Sequence, residues 1–315
     1  MTLRLVQYLK SHVLELTSAQ LVARTQVSVP TLSRTAIELI EELEAKRRIA
    51  VPRFLGVFSC ETPRRRFGLI TNAEDGTLLD FLDDDATDTI EQWFDRLGPA
   101  TSTIETVQID LHEAHRSIVR TTLPGVNLVS NWGCIDKVAQ RVLAQALSRL
   151  GTMGWTVHEK LKRDRAILLR ARTELTSNEV KKVESILKRH PYLRLYYDLK
   201  EGFDKIRTAV NRSEARSYYC EWRSLVPNEH LVYFEPVLSA LSEWEDELFG
   251  SLGLPQRMLN HADALREVVR ELNKSGAGFS YPQLRGRLLF SKTLQQKILR
   301  VTSTPAEPTH IKAMV

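Results

Sequence analysis

Asp110 closes the run Ile104-Glu105-Thr106-Val107-Gln108-Ile109-Asp110, in which apolar residues alternate with polar ones, and a helical segment follows at once. Alternation of that period marks a strand. A carboxylate at the end of a strand is placed to hold a hard divalent cation. Two such ions can clamp the attacking and leaving oxygens of a phosphodiester. One carboxylate cannot offset two ions, so this chemistry needs further acids. His112 and His115 follow at a spacing of three and share a helix face; with Asp110 they would make a metal trio, and the simpler reading is a solvated helix surface. Asp83-Asp84-Asp85 reads as a solvated loop running into a helix N-terminus, where negative charge suits the helix dipole. Gly276-Ala277-Gly278 is too short for a phosphate loop and reads as a helix cap and turn.

The elements that must position Asp110 can be read from periodicity. Residues 1–50 are helical, with Leu14, Leu21, Leu32, Ile37, Ile40 and Leu43 at helix spacing. Thr17-Ser18 can cap one helix, and Pro30 suits the first turn of the next. Thr17–Arg34 therefore has helix-turn-helix spacing, with Thr31, Ser33 and Arg34 near the start of the second helix, where base edges are read. Residues 54–60, 66–71 and 77–82 form three strands, the last two joined by a turn ending in Gly76. A helix over 85–97, the Asp110 strand, a helix from about 111 to 120, a strand over 125–130 and a long helix over 135–150 complete the pattern. Three antiparallel strands followed by alternating helices and strands is the ribonuclease-H-like order. Residues 151–250 contain only amphipathic helices, with Trp222 and Trp244 as core residues. The expected organisation is a helix-turn-helix domain over 1–50 and a ribonuclease-H-like domain over 51–150. A helical insertion over 151–250, a return to the ribonuclease-H-like domain over 251–295 and a flexible tail over 296–315 follow.

Composition bounds the partners. The chain has 315 residues, 43% of them hydrophobic and 26% charged, which is the make-up of a folded globular protein. No apolar run is long enough to cross a bilayer, so no membrane partner is expected, and a cytoplasmic location fits. A net charge of +5 and the basic clusters Lys46-Arg47-Arg48, Arg64-Arg65-Arg66 and Lys160–Arg165 favour a polyanion. Arg47, Arg48, Arg64, Arg65, Lys162, Arg163 and Arg165 are the expected phosphate contacts. Cys60, Cys134 and Cys220 are too few and too scattered for a disulfide framework or a zinc knuckle.

Four stretches then resemble the ISL3-type insertion-sequence transposases, a branch of the DDE transposases. They are the helix-turn-helix, the strand pair over Leu55–Thr71 with Gly76-Thr77-Leu78-Leu79, the Val107–Asp110 strand with its following helix and strand to Asn131, and an insertion. The insertion carries Leu175–Glu179, His190-Pro191-Tyr192-Leu193, Tyr197–Phe203 and Glu221-Trp222. The resemblance runs from about Leu3 to Leu289. It implies double-stranded DNA at the ends of a mobile element as partner, Mg2+ as the ion of an active enzyme, and a homo-oligomer or a partnership with another transposase.

The departures from the family are as informative. The cysteine-rich zinc module that usually opens such chains is not in this sequence. The first catalytic aspartate belongs in the strand that here reads Gly56-Val57-Phe58-Ser59-Cys60, so Phe58 or a neighbour takes its place, with Glu61 the nearest acid. The family's Asp-Arg-Phe-His is here Asn131-Trp132-Gly133-Cys134. The final glutamate falls near Asp263, whose shorter side chain would leave its oxygens about an ångström short, an error worth on the order of 100-fold in rate. Only Asp110 matches cleanly. The expectation is a transposase-derived protein that keeps fold and DNA binding with impaired or no strand transfer. The alternatives are an active enzyme using Asp110 and Asp263 with Glu61 or Asp136, and an interaction subunit or regulator of a transposase.

Overall fold

The computed structural model describes residues 2–63, 65–133, 135, 164, 166–275 and 279–303. The long helix expected over 135–150, Cys134, Asp136, Arg64, Lys162, Arg163, Arg165 and the Gly276–Gly278 turn lie outside these residues, apart from Ile135. By its contacts the chain divides into two units, Met1–Ser130 with Leu254–Val315, and Asn131–Gly253.

The first unit opens with α1 (Leu3–His12), α2 (Ser18–Thr25) and α3 (Val29–Lys46). Local chemistry sets their ends. Thr17 and Gln20 form a reciprocal capping box at the start of α2, which satisfies two backbone donors that a bare helix end leaves open. Gln26 then takes a left-handed conformation, φ 55°, at the turn position where glycine is the easiest residue, and Pro30 enters the first turn of α3. Leu9, Val13, Leu14, Leu21, Leu32, Ala36 and Ile40 close the core between these helices.

Next come β1 (Phe54–Glu61), β2 (Arg66–Asn72), β3 (Thr77–Leu82), α4 (Thr87–Leu97), β4 (Thr106–Ile109), α5 (Glu113–Thr122) and β5 (Asn127–Ser130). The five strands form one sheet in the order β3-β2-β1-β4-β5. β1, β2 and β3 pair antiparallel; β4 joins β1 and β5 joins β4 in parallel. This is the ribonuclease-H-like sheet expected from the element order. The β2–β3 turn needs Gly76 for its φ of +73° and for space, since a Cβ there would lie 2.5 Å from Thr302.

After the second unit the chain returns with α11 (Gln256–Ser275), α12 (Tyr281–Phe290) and α13 (Lys292–Ser303). Ala262, Leu265, Val268, Val269, Leu284, Leu288 and Ile298 from these helices pack on Phe58, Cys60, Phe67, Leu69, Leu78 and Phe81 of the sheet. The tail expected from residue 296 is thus helical through Ser303, because Ile298 and Thr302 are buried. On the other face, Trp93 of α4 donates to Asp80 of β3.

Two long-range caps bind the N-terminal helices to the C-terminal ones. The buried Arg287 guanidinium donates to the carbonyls of Val13, Leu14 and Leu16 just after α1, and burial lowers its pKa to about 10. Glu15 accepts from the backbone N–H groups of Lys292 and Thr293 at the start of α13, which sets a negative charge at a helix N-terminus.

The second unit holds α6 (Ser177–Arg189), α7 (Pro191–Arg207), α8 (Arg212–Leu225), α9 (Leu231–Glu243) and α10 (Glu245–Gly250). α9 and α10 are separated at Trp244, whose backbone leaves the helical region. Trp222 and Trp244 are core residues, as their apolar bulk implied. Trp222 also donates to the Leu199 carbonyl, 2.6 Å, and Trp132 donates to Ser251 Oγ, 3.1 Å.

Candidate functional site

β1 and β4 run parallel in a register that sets Gly56 beside Gln108 and Val57 beside Ile109. Phe58 is the next residue of β1, and Asp110 is the first residue past the end of β4. Phe58 is fully buried, and its ring folds back over Gly56, where a Cβ would come within 2.4 Å of the ring. The floor beside Asp110 is therefore hydrocarbon.

The Asp110 carboxylate is held on two sides. Ser59 N–H donates to Oδ2 at 2.9 Å. Arg266, from α11, places Nη2 at 2.5 and 2.7 Å from the two carboxylate oxygens. The rest of the guanidinium is committed as well: Nε donates to the Ser59 carbonyl at 2.8 Å and Nη1 to Asp263 at 2.7 Å. Its carbon lies 5.5 Å from the centre of the Phe58 ring, within the range of a cation–π contact. The side chains of Arg266 and Asp110 are 15% and 23% exposed. Burial alone would lower the arginine's pKa; the Asp110 and Asp263 carboxylates override it and hold the pKa above its ordinary value. The guanidinium is thus a permanent cation bridging the ends of β1 and β4.

The other candidate acids are more exposed than Asp110. Asp263 is 53% exposed and meets Arg266 one helical turn away. Glu61 is 75% exposed and lies 3.7 Å from Arg66. Strand alternation sends it to the side opposite Phe58 and Cys60. Among the described residues no three His, Cys, Asp or Glu side chains are grouped to hold a metal ion. Magnesium demands several oxygen ligands in near-octahedral geometry. Both Asp110 oxygens are already bonded to Arg266, and an apolar ring fills the neighbouring strand position. This donor set does not fit a two-magnesium centre.

Two expectations for the flanking residues need correction. His115 is fully buried rather than solvated, because α5 turns that face toward the sheet. Its ring makes no hydrogen bond of ordinary geometry among the described residues, and burial lowers its pKa. Asp85 is likewise not a solvent-facing loop acid: it accepts from Ser59 Oγ at 2.6 Å and pairs with Arg66 at 3.3 Å.

His261 sits behind Phe58, the rings 5.5 Å apart edge to face. Its Nδ1 is 2.6 Å from the Met258 carbonyl, which can only accept, so Nδ1 carries the proton and Nε2 accepts from Thr71 Oγ1 at 2.8 Å. Burial lowers its pKa from 6.5 to about 4. The unfolded chain binds a proton below about pH 6.5 that the folded chain refuses until about pH 4. Stability present above that window is lost as pH falls through it, by about 3 kcal/mol in all. Urea midpoints at pH 7 and pH 4.5 measure this loss, and His261→Gln should remove most of it; equal losses in both proteins would contradict the assignment.

The expected DNA-contacting residues divide by environment. Arg34 and Arg48 are exposed. Arg65 is exposed too, but it is engaged with Asp83 and stacked over Phe67 at 4.8 Å. Thr31 Oγ1 bonds Ser28 Oγ at 3.0 Å. Ser33 is bonded by Gln283 of α12, and Arg47 is turned inward onto the Leu79 carbonyl.

A family model described as Transposase, for the ISL3 group of the DDE type, matches residues 58–255. The chain belongs to the ISL3 transposase family. The match opens at Phe58, within β1, and ends just before α11, so it takes in the second half of β1, Asp110 and the helical insertion. A comparison with curated proteins finds no match. No helix among the described residues of this ISL3-family chain is long and apolar enough to cross a membrane.

The residue that sequence reasoning missed is Arg266. A signal was present: Ala262, Leu265 and Val269 form the inward stripe of α11, and a basic residue at 266 falls on that same stripe.

Proposed function

We propose that this ISL3-family chain is a transposase-derived DNA-binding protein of a mobile element without strand-transfer activity. The observation that carries the reading is the Asp110–Arg266 pair beside Phe58. Strand transfer of the DDE type needs carboxylates free to bind two cations, and here the one well-matched carboxylate is neutralised from within the chain. DNA binding asks less of the protein, namely basic side chains accessible to phosphates. Arg34 at the start of α3 and Arg48 just beyond its end meet that condition. Arg65 is a weaker contact because it would have to leave Asp83. Thr31 sits in the first turn of α3, where base edges are read. The homo-oligomer or transposase partner implied by the family fits a protein that occupies element ends without cutting them.

The test uses the full chain and duplexes carrying terminal repeats. Retention of the duplex is expected, with affinity falling as salt rises. Arg34→Glu with Arg48→Glu should flatten the slope of log affinity against log salt by about 2. No nicking is expected in Mg2+ or Mn2+. Metal-dependent nicking that disappears in Asp110→Ala would overturn the proposal, and an unchanged salt slope would remove Arg34 and Arg48 from the interface.

A further inference from the structure

Three positions converge at the ends of β1 and β4: Phe58 on one strand, Asp110 on the other and Arg266 on the helix laid across them. A two-ion centre of this fold uses an acid at each of three such positions, and the family model ends before α11, so the helix position must be taken from geometry. Asp263 is the acid that the family resemblance points to, but its carboxylate reaches Arg266 and is half exposed. Arg266 is the α11 side chain that touches Asp110 directly, and it touches the Ser59 backbone of β1 in the same fork.

We infer that position 266 is the third position of the acidic constellation with its charge inverted, so that the Arg266 guanidinium is a built-in cation standing where divalent ions would be held. This inference rests on the reading of the chain as a strand-transfer-inactive transposase and assigns the residue responsible. The substitutions at 58 and 266 then form a matched pair. An acid at 266 without a cation would repel Asp110, and an arginine at 266 would compete with metal for any acid at 58. A phenylalanine at 58 leaves the guanidinium one strand carboxylate to neutralise and gives it an aromatic face at 5.5 Å. Asp263 adds a second carboxylate to the same guanidinium.

The account predicts that metal binding can be restored only by changing both positions. The probe is Mn2+, titrated into the full chain and followed by electron paramagnetic resonance. Wild type should show no Asp110-dependent site. Phe58→Asp with Arg266→Glu should gain one, binding Mn2+ on the order of 100-fold tighter than the wild type's residual surface binding, at least the scale of disturbing a single partner around a metal site. Asp110→Asn added to that variant should abolish it. The control is Phe58→Asp with Asp263→Glu, which leaves Arg266 in place and should gain nothing. If the first variant fails to fold by circular dichroism, Phe58→Asp with Arg266→Gln is read in the same way. Gain of a site in the Asp263→Glu control, or none in the position-266 variants, overturns the inference and leaves the proposed function standing. Asp110-dependent Mn2+ binding by wild type overturns both.

Discussion

Asp110→Ala will destabilise the protein by about 3 kcal/mol, the low end of the range for stranding one partner of a buried ion pair. The low end applies because both side chains keep some solvent contact. The arginine left behind would have Asp263 and the Ser59 carbonyl for company, and two of its four hydrogen bonds would be gone. The sign of the effect matters as much as its size. In a cluster of catalytic acids, like charges repel, and removing one commonly stabilises a site built for function rather than stability. Here the same substitution removes the counter-charge of a cation. Asp110→Ala with Arg266→Met should lose about 1 kcal/mol or less, since replacing both members of an ion pair by apolar groups is often nearly neutral. Urea denaturation of the two single variants and the double gives the coupling directly. A coupling below about 0.5 kcal/mol would show that the two side chains do not support each other.

The second large effect is expected at Asp80. This carboxylate on β3 is 2% exposed and accepts three hydrogen bonds: from Trp93 Nε1 at 3.0 Å, from Phe81 N–H at 2.8 Å and from Arg285 Nε at 2.9 Å. Arg285 also donates to Glu44 of α3 at 2.8 Å. One carboxylate thus ties α4 on one face of the sheet to α12, and through Arg285 to the N-terminal helices. Burial would lower the pKa of Arg285, but Asp80 and Glu44 hold it above its ordinary value. Asp80→Ala strands an indole N–H and part of a guanidinium, and should cost about 3–5 kcal/mol. Hydrogen exchange should then rise first in α3, because its charged link to β3 is cut. A loss below about 1 kcal/mol, or exchange rising uniformly, would contradict this role.

The sheet was legible because its strands carry period-two patterning and their order leaves few topologies open. Asp110 was legible for the same reason: a polar residue ending an apolar alternation has no packing excuse. The starts of α2 and α3 were readable, since Thr17, Gln20 and Pro30 mark them, and Gln26 adopts the left-handed turn between the two helices. What was not legible depends on long-range partners. Ser33 and Arg47 look like surface residues in sequence, yet Gln283 and Leu79 claim them from far along the chain. His115 has the spacing of a surface histidine, and only the sheet behind α5 makes it buried. Asp263 drew attention because it is an acid near the place of the family's final glutamate, whereas the deciding residue three positions on is a base. A search for missing acids does not look for a cation.

Whether Arg266, rather than a divalent ion, neutralises Asp110 can be read from thermal unfolding of the full wild-type chain in chelator and in saturating Mg2+ or Mn2+. An ion bound only by the folded chain at about 100 times its dissociation constant would add about 2.7 kcal/mol. The unfolding curves should superimpose, with no metal-dependent rise in midpoint. A rise in Mg2+ or Mn2+ that vanishes in Asp110→Ala would contradict neutralisation by Arg266.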